Sequence, residues 1–566
     1  MKKIKEHKAN WLKHIGVMVL LMISASSCKE YLEVEPYSDW NADEFYSNED
    51  EIEIALAGIY SILASDEVYG QAMTIIMESG TDEGYYNRRY NENWTVGLYR
   101  HTAADNYVAG LWKTLYSCIN QVNLFEEKMD RSAFEEEVAN QYLAEVRFLR
   151  ALAYANLTNW YGEVPLKLTP VTDQSDNDQA VATLGELYAQ IIADYTFATE
   201  HLLRASDPNY IPGRANKAAA HGLLARVYLK MSGYPLFENH YEDVMAQCDS
   251  VFADGYHGLT QATGTNDGYR EHFLNYIENT YSPQESLFEV SFSYLGELGL
   301  TVHGRLGGLN GVVFGYGGGQ EGYPSAYAMY NASPVMDNIY DDPDDVRLAW
   351  NVASYQYTNG GDIKRVTGPL ATQHCPAKYR RWEPLDWADL DITPASGTLE
   401  PYKILETAST LNRNFTSINF PVLRYSDVLL MYAEAANEHN GTPTVKALES
   451  LNQVRNRAGL ANIETIAPVV ATNHDLFFKE IVDERLRELC FEGVRKHDLI
   501  RWELLDDKLA ETAAAIKASP DYNPGNEDQN AFLRASNNFD PSKHLSLPYP
   551  LQEVTINKLL AQKTGW

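Results

Sequence analysis

Apolar positions along this chain follow three rhythms. From Ile15 to Ile23 they run unbroken apart from Gly16, over a stretch too short to span a bilayer. Further on they recur at helical spacing. Ala144, Phe148, Ala151 and Ala155 fall at i, i+4, i+7 and i+11, which predicts a helix ending near Tyr161-Gly162-Glu163-Val164-Pro165, where Gly and Pro stop it. The small residues on that face allow a neighbouring helix to approach closely. Ala218 to Leu229 predicts a second such helix, and the same spacing predicts others over 48–64, 106–129, 184–203, 426–439, 443–458 and 475–492. Helix pairs of this length joined by short turns look like a tetratricopeptide-type stack, although no full repeat signature recurs at a fixed period of about 34 residues.

The third rhythm occupies about 255–420, which is rich in Gly, Asp, Asn and aromatic residues. Short apolar runs there, such as Ser286-Leu287-Phe288-Glu289-Val290, predict isolated strands in a loop-rich insertion. Long irregular segments held by a rigid scaffold tend to carry binding function.

The first apolar run acquires its meaning from its flanks. Lys2, Lys3, Lys5, Lys8 and Lys13 precede it, and Ser24-Ala25-Ser26-Ser27-Cys28 follows. A positive start, a short apolar core and small residues leading into a cysteine are the pattern of a lipoprotein signal peptide over residues 1–27, with Cys28 as the lipidated first residue of the mature protein. Two or more acyl chains at that cysteine would give stable anchoring, where one binds only marginally. Cleavage there removes five lysines and one glutamate and takes the formal charge from −32 to −36. So acidic a surface repels phosphate backbones and anionic headgroups, which argues against nucleic acid as a partner. After Cys28 no run is apolar for long enough to cross a membrane.

Cys118, Cys248, Cys375 and Cys490 stand far apart with no Cys-x-x-Cys pair, which disfavours a structural zinc site and reads as four buried small hydrophobes, with one long-range disulfide left open. Other motifs invite enzymatic readings. His497-Asp498 puts a histidine beside a carboxylate, but neighbours in sequence are not a triad and no Gly-x-Ser-x-Gly elbow accompanies them. Asp341, Asp342, Asp344 and Asp345 cluster around Pro343 without the spacing of an EF-hand, a solvated turn or, alternatively, a structural calcium site. The glycines from Gly304 to Gly322 lack the Gly-Lys-Ser/Thr of a phosphate loop and suit a tightly turned loop presenting Phe314, Tyr316 and Tyr323.

Aromatic residues in polar contexts are the clearest indication of a ligand. Tyr85 and Tyr86 lie beside Asp82 and Arg88, then comes Trp94, and later Trp350, Tyr355, Trp382 and Trp387. Sugar rings pack their C–H faces on aromatic rings and their hydroxyls on planar polar groups, and these segments supply both. An interhelical loop whose tyrosines merely pack on the helices is the competing reading.

Five segments, in order, resemble the SusD/RagB family of outer-membrane nutrient-binding lipoproteins. They are Glu145 to Tyr154 running on to Tyr161-Gly162-Glu163-Val164-Pro165-Leu166, then Gly213 to Ala220 with Leu224 to Leu229, then Arg424 to Ala435. Arg455 to Leu460, Asp483-Glu484-Arg485 and Glu492 to Trp502 follow, and Leu547 to Glu553 closes the set. The resemblance implies a mainly α, SusD-like fold with tetratricopeptide-like helix pairs and a large loop-rich insertion. It divides the chain into an N-terminal helical region over 28–254, an irregular ligand-binding region over 255–420 and a C-terminal helical region over 421–566. It also implies a non-catalytic protein at the cell surface that captures oligosaccharides or polysaccharides and passes them to a partner SusC-like TonB-dependent transporter. A peptide-binding lid of a RagA-like oligopeptide transporter is the alternative, and a surface glycoside hydrolase a third reading. On this view Tyr85, Tyr86 and Trp94 are stacking platforms, Asp82 and Arg88 hydroxyl partners, and Tyr316, Tyr323 and Trp350 contribute from the insertion. The net charge favours neutral glycans, with Lys378, Arg380 and Arg381 expected as a local basic patch and no cofactor required.

Overall fold

The computed structural model describes residues 45–88, 92–264, 267–295, 300–315, 324–359, 361–366, 374–385, 402–407 and 414–566. Residues 1–27, expected from sequence to be a signal peptide, and Cys28, Arg89, Tyr316, Tyr323 and Trp387 lie outside the described residues. Helices dominate both ends. We label them α1 (Glu49–Leu63), α2 (Asn106–Lys128), α3 (Glu136–Tyr161), α4 (Leu184–His201), α5 (Lys217–Met231), α6 (Tyr241–Asp254), α7 (Gly268–Ile277), α8 (Tyr425–Asn440), α9 (Val445–Arg457), α10 (His474–Leu489), α11 (Arg495–Arg501) and α12 (Leu505–Ala518).

Local chemistry accounts for their ends. Asn48, Asp105 and Asn216 cap the first turns of α1, α2 and α5, and Thr183 with Glu186 forms a reciprocal capping box at α4. Helix α3 stops at Gly162, whose φ of +67° is open to glycine. Its buried face carries Ala144, Phe148 and Ala151, as the periodicity predicts, with Ala155 half-buried. The first six helices pack each on the next, α1 on α2, α2 on α3, α3 on α4, α4 on α5 and α5 on α6, with α8 seated against α6, α9 and α10.

The middle of the chain is less irregular than its composition suggests. It holds α7, and its strands pair rather than standing isolated, some with near neighbours and some over long distances. Strand β2 (Ser286–Val290) pairs antiparallel with β4 (Phe420–Arg424), more than a hundred residues on, and β1 (Gly84–Tyr86) pairs with β3 (Tyr330–Ala332). Asn216 ties this layer to the helices by donating to the carbonyl of Leu287 at 2.8 Å. A second apolar cluster around Phe314, Tyr355, Tyr357 and Trp382 fills the inside of the insertion.

Between insertion and C-terminal helices lies a buried ion-pair network. Arg424 donates to Glu492 at 2.7 Å, Glu285 at 3.0 Å and Glu488 at 3.1 Å. Arg347 meets Asp345 at 2.8 Å and Glu484 at 2.7 Å, and Lys378 meets Glu492 at 2.7 Å. Asp427 takes Arg226 on one oxygen and Arg485 on the other, each at 2.6 Å. Burial alone would raise the Glu484 and Glu285 carboxyls, but the surrounding arginines hold both down at about 2. Many charged residues of the motifs beginning at Arg424, Asp483 and Glu492 are therefore committed to partners inside the fold. All four cysteines in the described residues are buried thiols with no disulfide, Cys118 and Cys375 pushed up to about 12 by burial. No helix of the described residues is long and apolar enough to cross a membrane.

Candidate functional site

The connection from α1 to α2 is drawn inward and then turned out to the surface. Strand β1 sets Gly84 opposite Ala332, Tyr85 opposite Asn331 and Tyr86 opposite Tyr330. Only glycine fits at 84, where a Cβ would lie 2.2 Å from the Tyr330 ring. Past the strand, Asn87 donates to the carbonyl of Ala328 at 2.6 Å and Arg88 to that of Tyr327 at 2.9 Å. From the far side Arg534 donates to the carbonyl of Arg88 at 2.7 Å. The loop is thus clamped between the insertion and the C-terminal region.

Most of the aromatic and polar groups that the sequence suggests as contacts are buried, and their expected surface placement is corrected. Asp82 is 4% exposed and forms a two-point ion pair with Arg495, at 2.9 and 2.6 Å. Tyr85 stands edge-on to Phe532, with ring centroids 4.6 Å apart. Tyr86 and Trp94 stack on each other, centroids 4.6 Å apart and planes 22° from parallel, and Trp94 is 3% exposed. Trp350 is buried between two cations, the Arg380 guanidinium 4.2 Å from its ring and that of Arg270 at 5.0 Å. The physical reason is that each finds a partner inside the fold: a ring for Tyr85, Tyr86 and Trp94, a guanidinium for Asp82 and Trp350. Arg88 alone of the described candidates stays half-exposed.

Lys378, Arg380 and Arg381 form no surface basic patch. Each is buried, Lys378 on Glu492, Arg380 on the Tyr355 hydroxyl at 2.8 Å and Arg381 on the Ser325 carbonyl at 2.6 Å and on Glu406. Asp345 is likewise withdrawn from the acidic cluster by Arg347, and among the described residues no group of three or more His, Cys, Asp or Glu is arranged to hold a metal ion. His497 and Asp498 do not form a relay. The Asp498 carboxylate is taken by Arg485 at 2.8 Å and Arg501 at 2.9 Å, while the imidazole stands edge-on to Trp160.

Where Arg88 reaches the surface, groups from the insertion gather beside it. The Tyr327 hydroxyl donates to Asn414 Oδ1 at 3.1 Å, and the next residue, Phe415, packs its ring against His303 with centroids 3.9 Å apart. The Arg305 guanidinium sits 5.9 Å from that ring. Paired backbone bonds between Gly304 and Thr416, at 3.1 and 2.9 Å, hold the two segments together. Asn414 is exposed, and Arg88, Tyr327, Phe415, His303 and Arg305 are half-buried. This ledge offers two aromatic rings, two guanidiniums, an imidazole and an amide. Its members other than Arg88 were not singled out from sequence. The available signal was local: Phe415 beside Asn412, Arg413 and Asn414, and His303 beside Arg305, repeat the aromatic-next-to-planar-polar pattern of the first loop.

Fold and site together define a helical-repeat scaffold that presents an irregular polar and aromatic face. A family model described as the SusD family matches residues 249–566, and one described as starch-binding associating with outer membrane matches residues 30–229. The chain belongs to the SusD family. It is 26% identical to SusD-like protein P25 of Formosa agariphila over 573 residues, covering 97% of this chain and 98% of that one. The crystal structure of a SusD homologue from Bacteroides thetaiotaomicron superposes with a TM-score of 0.79 at 25% identity, over 93% of this chain and 98% of that chain. A laminarin-binding SusD-like protein superposes with a TM-score of 0.64 at 20% identity, over 92% and 100%.

Proposed function

We propose that this protein is a non-catalytic, lipid-anchored receptor of the outer membrane, attached through Cys28, that binds a neutral oligosaccharide or polysaccharide and hands it to a TonB-dependent transporter. The observation that carries the binding reading is the ledge of Arg88, Tyr327, Asn414, Phe415, His303 and Arg305. Its rings match the C–H faces of pyranoses and its amide and guanidiniums match their hydroxyls. The starch-binding description of the N-terminal family model and the laminarin-binding neighbour support a glycan as ligand. A formal charge of −32 over the full chain makes a neutral polymer a better partner than a sulfated one. Tyr86 and Trp94 brace the loop from behind, and Tyr316 and Tyr323 are further contacts proposed from sequence.

Affinity electrophoresis against laminarin, starch and a panel of neutral and acidic polysaccharides tests this. Retardation by one polymer should weaken about tenfold in Tyr327→Ala and in Phe415→Ala, the worth of one aromatic platform. Retardation by none, or retardation indifferent to both substitutions, would overturn the assignment of the ledge.

A further inference from the structure

The N-terminal and C-terminal helices meet at a cavity of about 90 Å³, remote in chemistry from the ledge. Helix α3 lines it with Asn156 and Asn159, α5 with Arg226 and Lys230, α11 with His497, and the connection after α1 with Glu78. Its charges are not balanced. Arg485 and Arg501, which also border it, are matched by Asp427, Asp498 and Glu434. Lys230 has no carboxylate within ion-pair distance among the described residues, and its ammonium donates only to the Tyr234 carbonyl, at 3.2 Å. Arg226 spends one terminal nitrogen on Asp427 and leaves its buried Nε without a protein partner. Neither ring nitrogen of His497 has a hydrogen-bond partner among the described residues, the nearest carboxyl oxygen, on Glu78, being 3.7 Å away.

We propose that this cavity binds one small oxyanion of the phosphate or carboxylate class, held by Lys230 Nζ, Arg226 Nε and the His497 imidazole. Water would satisfy the hydrogen bonds but not the charge, and the half-buried Lys230 ammonium, pulled down to about 8 by burial and by the nearby Arg501, gains from an anion beside it. Glu78 is a poor source of that charge, because burial raises its carboxyl against the pull of Lys496. Size selects the ligand. At roughly 10–15 Å³ for each water-sized position, about 90 Å³ leaves room for a tetrahedral oxyanion.

Two readouts test the site. Crystals of the protein soaked in sodium selenate should show an anomalous peak in contact with Lys230 Nζ. In solution, phosphate or acetate added at constant ionic strength, set with a sulfonate buffer too bulky for the cavity, should raise the melting temperature of the wild-type protein by about 1–2 °C. Lys230→Met should lose both responses, and stabilisation by phosphate alone or by acetate alone names the oxyanion shape. A wild-type protein that shows no peak and no stabilisation by either anion would overturn the proposal. So would a peak or a shift that persists in Lys230→Met, which marks an adventitious ion only.

Discussion

Asp82 and Arg88 are six positions apart on one loop and end in opposite environments. The Asp82 carboxylate is closed off by Arg495, so its charge serves the fold, whereas the Arg88 guanidinium holds Tyr327 at the surface and stays within reach of a ligand. Glu83, between them, behaves differently again. Burial lifts its carboxyl to about 7, although the Tyr330 hydroxyl and the Phe491 amide both donate to it. In the unfolded chain the same group titrates near 4.5. Its folded value is the higher one, so the stability it contributes is present below pH 4.5 and is lost as pH rises through 7, when the unfolded chain has released the proton and the folded chain must still hold it or ionise in a buried site. Glu83→Gln has no proton to lose. Denaturant titrations of both proteins should therefore show the variant gaining about 1–3 kcal/mol on the wild type between pH 4.5 and 7. A gap that stays constant over that range would contradict the burial of a neutral Glu83.

Elements of this protein are held to one another at a few close approaches. Helix α5 lies against β4 where Gly222 leaves room, since a Cβ there would stand 2.5 Å from the Leu423 side chain and 3.4 Å from that of Val428. Alanine is the better helix former, yet Gly222→Ala should lower stability by about 1–3 kcal/mol in urea unfolding, because overpacking outweighs propensity. Stabilisation instead would mean that Leu423 moves aside freely. The pairing of β1 with β3 has the same character, with Gly84 allowing the Tyr330 ring to cross the strand. That pairing carries the first loop to the insertion and so assembles the ledge from segments more than two hundred residues apart.

At the scale of the whole molecule, one buried acid ties the parts together. Glu488, on α10, accepts from Arg424 of β4, from Arg457 at the end of α9 and from Arg347 of the insertion, and its carboxyl is held well down by them against the opposing effect of burial. Glu488→Ala leaves three buried cations short of a partner and should cost about 3–5 kcal/mol. Hydrogen exchange should then quicken in both β4 and α10. Quickening confined to α10 would show that the network does not couple the insertion to the helices.

Much of this was legible along the chain. The spans expected for six helices fall on α1, α2, α4, α8, α9 and α10 with ends shifted by at most three residues, because a 3.6-residue apolar period and the Asn, Asp and Thr caps are local properties. Helices α6, α7 and α12 were not foreseen, and α7 lies in the stretch that composition marks as irregular. Of the site, Arg88 and the two contributing regions could be read from residue type. What sequence could not give was burial. Asp82, Trp94, Trp350 and the Lys378–Arg381 run look in sequence like ligand groups, yet all are buried: Asp82 on Arg495, Trp94 on Tyr86, Trp350 on Arg270 and Arg380, Lys378 on Glu492. Period and capping are decided within a few residues, so the sequence by itself determined most of the helices and the family. Which charges face water and which face each other depends on pairings between strands and helices hundreds of residues apart, and only the tertiary structure decided those.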